Sequence, residues 1–98
     1  MSVSPAIVDK VMSLSRAEFV TALSYVSGTA AAGADNWTAA LTDGGCVTIT
    51  FTPLANAQLS ALLQLPRALV RLTFDDASEM ARRDFLARFD FAFQRGGG

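Results

Sequence analysis

The chain has no histidine, one cysteine and three prolines in 98 residues. Without histidine, serine–histidine and cysteine–histidine nucleophile systems are excluded, and the commonest general base and metal ligand is missing. The single cysteine, Cys46, permits no disulfide within the chain, and it has no histidine to activate its thiol. It reads as a small packing residue at the edge of a strand. Charge is scarce as well: 17% of residues are charged, against about a quarter in ordinary soluble domains. The net charge of −1 gives no electrostatic footprint for nucleic acid or an anionic membrane. No apolar run approaches the length of a membrane span. The opening residues, MSVSPAIVDKVMSLS, carry no basic leader ahead of an apolar stretch. Together these absences predict a cytoplasmic protein with no nucleic-acid partner, no membrane partner, no cofactor, no metal and no catalytic residues.

Half of the residues are apolar, enough for one domain over 1–98 with a single core and little to spare. Apolar content this high with so little charge argues against disorder. It also predicts that part of the apolar surface is covered by another chain, as in a homo-oligomer or a complex with a protein partner. A compact, alanine-rich monomer is the alternative.

Four of the seven phenylalanines fall in the last third, at 85, 89, 91 and 93. On a helix, Ala81, Phe85, Leu86, Phe89, Ala92 and Phe93 share one apolar arc, while Asp84, Arg88 and Arg95 lie opposite. Met80, Ala87 and Phe91 fall off that arc on adjoining angles. They form a narrower stripe and are the candidate interface with a partner. Asp75, Asp76 and Glu79 stand where acidic groups complement a helix N-terminus. Their spacing does not match a calcium loop, so no metal site is read there.

Upstream, Ser4-Pro5 followed by Ile7, Val8, Val11 and Met12 predicts a short helix. Ser15 with Glu18 three residues on is a capping box, opening a helix from about 16 to 26 that Gly28 stops. Residues 28–36 are small and weakly patterned, and read as a loop. Residues 37–41 and 46–52 flank Thr42-Asp43-Gly44-Gly45 as a β-hairpin, with Val47, Ile49 and Phe51 on one face. Residues 54–65 are ambiguous. Their length and leucine content favour a short helix, but Leu59, Ala61, Leu63 and Leu65 also alternate as in a strand. Arg67 to Phe74 reads as a strand with Arg67 and Arg71 on its polar side, where they bind an anion or keep the face soluble.

The predicted fold is therefore α+β. An antiparallel three-stranded sheet, a hairpin plus a third strand, is covered by N-terminal helix or helices and a long C-terminal helix, ahead of a flexible glycine tail at 96–98. The predicted function is that of a small non-catalytic interaction or accessory protein. The alternative lies in the tail. Arg95-Gly96-Gly97-Gly98 resembles the end of ubiquitin-like modifiers and sulfur carriers. That resemblance implies activation of the terminal carboxylate by an adenylating enzyme, with Gly97 and Gly98 as the functional residues. It also implies a β-grasp fold that begins with a hairpin and reaches the tail through a strand. The alternation of Phe89, Phe91 and Phe93 would supply that strand, over 88–94.

Overall fold

The computed structural model describes residues 6–26, 28–42 and 44–96. Five strands and two helices follow one another as β1 (Ala6–Met12), α1 (Arg16–Leu23), β2 (Thr29–Ala31), β3 (Asn36–Ala40), β4 (Cys46–Gln58), β5 (Gln64–Asp75) and α2 (Glu79–Gly96). The strands form one sheet in the order β1-β5-β4-β3-β2, and every neighbouring pair is antiparallel.

This architecture corrects the expected three-stranded sheet beneath several N-terminal helices. Residues 6–12 are a strand, not a helix. The β-branched Ile7, Val8 and Val11 favour the pleat, and the register pairs Val8 with Leu72 and Lys10 with Val70. Lys10 hides the alternation in the sequence: it sits at an inward position, where its ammonium meets the Asp90 carboxylate of α2 at 3.1 Å. Thr29–Ala31, expected as loop, pairs with β3 through Ala39, Thr38 and Trp37. Residues 54–65, for which a helix was favoured, continue both arms of the β4–β5 hairpin. Ala57 pairs with Leu65 and Gln58 with Gln64, beyond an irregularity between Leu54 and Ala57. Strands on both sides propagate into the leucine-rich stretch, and that pairing overrides its helix propensity.

Inward positions on the strands alternate cleanly. Val47, Ile49 and Phe51 of β4 and Ala68, Val70, Leu72 and Phe74 of β5 are buried. Both helices cover this face. α1 starts with Ser15, whose Oγ accepts the Glu18 N–H while the Glu18 carboxylate accepts the Ser15 N–H. Ser78 stands just before α2, and its Oγ accepts the Ala81 N–H. Phe85 and Phe89 of α2 are fully buried, Ala81, Ala92 and Phe93 nearly so, and Leu86 packs against them partly buried. Residues 88–94 are thus helical, and the chain reaches Gly96 through a helix rather than the strand a carrier tail implies.

The opposite face of the sheet carries threonines 38, 48, 50, 52 and 73 with Asp9 and Arg71, and among the described residues both helices lie on the other side. Cys46, expected to pack, is exposed at the end of β4.

Candidate interaction surface

The far end of the β4–β5 hairpin stands outside the rest of the sheet. β3 pairs with β4 only over Cys46–Thr50, and β1 pairs with β5 only over Ala68–Phe74. Residues 53–66 therefore leave the sheet as a two-stranded arm, which helps to give the molecule extents of 53 × 26 × 23 Å. The arm is closed by a turn in which the Leu59 and Ser60 N–H groups donate to the Leu63 carbonyl and the Ser60 Oγ accepts from the Leu62 and Leu63 N–H groups. Across the arm the Asn56 amide donates to the Gln64 side chain at 3.3 Å.

Nothing on residues 53–66 is charged. Leu62 at the tip is 99% exposed, Leu59 61% and Leu63 49%. A two-stranded ribbon alone is marginally stable in water, and the largely exposed leucines at its tip bury little apolar surface within the chain. Pro53 and Pro66 stand one in each strand of the arm. Neither can donate to a further strand, so they disfavour lengthening of the sheet at these edges.

At the root of the arm the inner face of the sheet extends past the helices. Leu14, Phe51, Pro53, Leu54 and Pro66 line a pocket of about 220 Å³ there, with Arg16, Asp35 and Arg67 at its polar side. Arg16 is fixed: its Nε meets the Asp35 carboxylate at 2.8 Å, its Nη2 donates to the Ala34 carbonyl, and its guanidinium lies over the Trp37 ring. Among the described residues Arg67 makes no ion pair. A wider depression of about 620 Å³ opens between the end of β1 and the end of α2, lined by Val11, Met12 and Phe93 among others.

Comparison with protein-family models, curated proteins and solved structures returns no match.

The candidate stripe on α2 is at the surface, with Met80 73% and Phe91 60% exposed and Ala87 exposed between them. Gly97 and Gly98, the candidate carrier tail, lie outside the described residues. Arg67 and Arg71, read as one polar face, have different fates. Arg71 holds Asp9 through two hydrogen bonds of 2.7 and 3.0 Å, which keep the Asp9 carboxyl below its ordinary pKa. Arg67 lines the pocket instead. No three His, Cys, Asp or Glu side chains among the described residues are grouped to hold a metal. No helix of the described residues is long and apolar enough to cross a membrane.

Of the two readings that the sequence leaves open for 54–65, the strand is the one the structure adopts, and two signals mark it. The interval from Pro53 to Pro66 contains no charge, and it joins two segments that each alternate as strands.

Proposed function

We propose that the protein is a small, non-catalytic cytoplasmic interaction protein, working as a homo-oligomer or as a subunit of a complex through its β4–β5 arm. The observation that carries this reading is Leu62, 99% exposed at the tip of a charge-free arm beyond the sheet. Apolar groups presented this way gain about 1.5–3 kcal/mol per side chain when a partner covers them. A single unpaired cysteine and the lack of histidine support a cytoplasmic protein without nucleophilic chemistry.

The stripe of Met80, Ala87 and Phe91 on α2 is a second surface for the same purpose, favoured by the exposure of Met80 and Phe91. The experiment is a mass measurement of the native assembly from the protein's own cells. It compares the wild type with Leu62→Asp/Leu63→Asp and with Phe91→Asp. The wild type should run above its monomer mass of 10.4 kDa, and the arm variant should fall to it. Loss in Phe91→Asp alone would move the interface to α2. A wild type found only as the monomer would end the interaction reading.

A further inference from the structure

We infer that the partner of the arm is a second copy of this chain. Two arms lie antiparallel about a two-fold axis, each placing Leu62 in the pocket at the root of the other. This rests on the reading of the arm as an association surface, and adds the identity and geometry of what it meets.

The arm carries both halves of such a contact. At its tip is an apolar knob, Leu59, Leu62 and Leu63. At its root is an apolar hollow between Leu14, Phe51, Pro53, Leu54 and Pro66, where the inner face of the sheet continues beyond its helical cover. The six residues from Pro53 to Gln58 separate root from tip by about 20 Å of extended chain. Two equal arms laid antiparallel bring each tip to the other root, so one two-fold operation fills both hollows. A contact of this kind is isologous and closes at two copies, with no unfilled site left to build a filament.

The chemistry of the hollow matches a neutral, apolar guest. Its volume of about 220 Å³ accommodates a leucine side chain. Arg16 is already neutralised by Asp35, and the tip brings no charge that would need a partner. Arg67, with no ion pair of its own among the described residues, supplies N–H donors to the backbone carbonyls of an incoming turn. The arm and the residues around its root, residues 53–66 with Leu14, Ser15, Arg16, Asp35, Phe51 and Arg67, offer at most about twenty residues a side. That is the lower end of what a stable dimer of about 800 Å² per partner uses. Pairing of the open β1 edges, another route to a dimer, is blunted by Asp9 and Lys10 on that strand.

The test uses the purified chain with Cys46→Ser, in which single cysteines are placed at the tip (Leu62→Cys) or at the root (Leu54→Cys, and Asn56→Cys as a second root position). Under mild oxidation, mixing a tip chain with a root chain should give a disulfide-linked dimer of twice 10.4 kDa, and neither chain alone should do so to a comparable extent. In sedimentation, Leu62→Asp should weaken self-association at least about tenfold. An unchanged circular dichroism signal from buried Trp37 would show that the fold is kept. Cross-linking of the Leu62→Cys chain to itself would mean tip meets tip, and would overturn the exchange. So would a dimer that yields no tip-to-root disulfide at either root position. A purified wild type that stays monomeric at high concentration would overturn the second copy as partner, while the broader association reading would still be decided by the mass of the native assembly.

Discussion

The rings of Phe19 and Phe93 meet with centroids 5.3 Å apart, and this contact ties α1 to α2 above the sheet. Phe19 also touches Trp37 and Phe51, at 5.2 and 4.9 Å, and Phe93 lies against Phe89 in a tilted pair with centroids 4.4 Å apart. One aromatic chain therefore runs from β3 and β4 through α1 into α2. Phe89 sits within it fully buried, whereas Phe91 is 60% exposed. Phe89→Ala should destabilise the protein by about 3–5 kcal/mol, through lost burial and the cavity left behind. Phe91→Ala should have a much smaller effect on the isolated domain. Chemical denaturation of the two variants side by side measures this, and equal losses would contradict the packing of α2.

The same two residues show how far the sequence could be read. The arc of α2 was legible because its burial follows local helical spacing, and the Ser15–Glu18 capping box because its partners are three residues apart. β1 was not legible. Its inward lysine is satisfied by Asp90, eighty positions along the chain, and no local pattern announces such a partner. β2 is three small residues whose only strand signal is the neighbour they pair with. The arm failed for a third reason: leucine and alanine favour helices in isolation, and only pairing with the strand opposite decides against that. Of the candidate site, the stripe on α2 came from periodicity. The tip and root of the arm are brought into one element only by the hairpin.

Gly45 gives a second prediction. A Cβ built there would lie 2.6 Å from the Asp76 carbonyl oxygen and 2.7 Å from that of Asp75, both backbone atoms that cannot rotate away. Asp76 is itself held at a positive φ of 54°, which leaves the turn into α2 little room to yield. Gly45→Ala should therefore destabilise by about 1–3 kcal/mol, the usual range for forced overpacking. Thermal unfolding tests it, and a neutral result would mean the β5–α2 turn moves easily.

The Asp9–Arg71 pair sets a pH dependence of known sign. The hydrogen bond from Arg71 lowers the Asp9 pKa below its reference of 3.8, so the native state binds this proton less readily than the unfolded chain. The contribution is present above the unfolded-state pKa and is lost as the pH falls through the lowered native value. Both side chains are nearly half exposed, so solvent and salt screen the effect and it should be small. An NMR titration of the Asp9 carboxyl should find its midpoint below 3.8, and Arg71→Gln should raise it towards that value. A midpoint unmoved by the substitution would mean the pair does not persist in solution.

The arm makes the last prediction, one that concerns dynamics. Amide exchange reports how often a backbone hydrogen bond opens, and a ribbon paired only to itself opens far more often than a strand inside a sheet. β4 passes from one condition to the other along its length: Cys46–Thr50 lies between β3 and β5, whereas 53–58 has β5 alone. In dilute solution the ladder amides of 57–58 and 64–65 should exchange much faster than those of Val47, Ile49 and Leu72. If a second copy covers the arm, exchange there should slow as protein concentration rises, because the dimer population grows by mass action while the core is already protected. Leu62→Asp should remove the concentration dependence and leave the core amides unchanged. Arm amides that are as protected as the core at every dilution would mean the arm is stable alone, and the physical need for a partner would disappear.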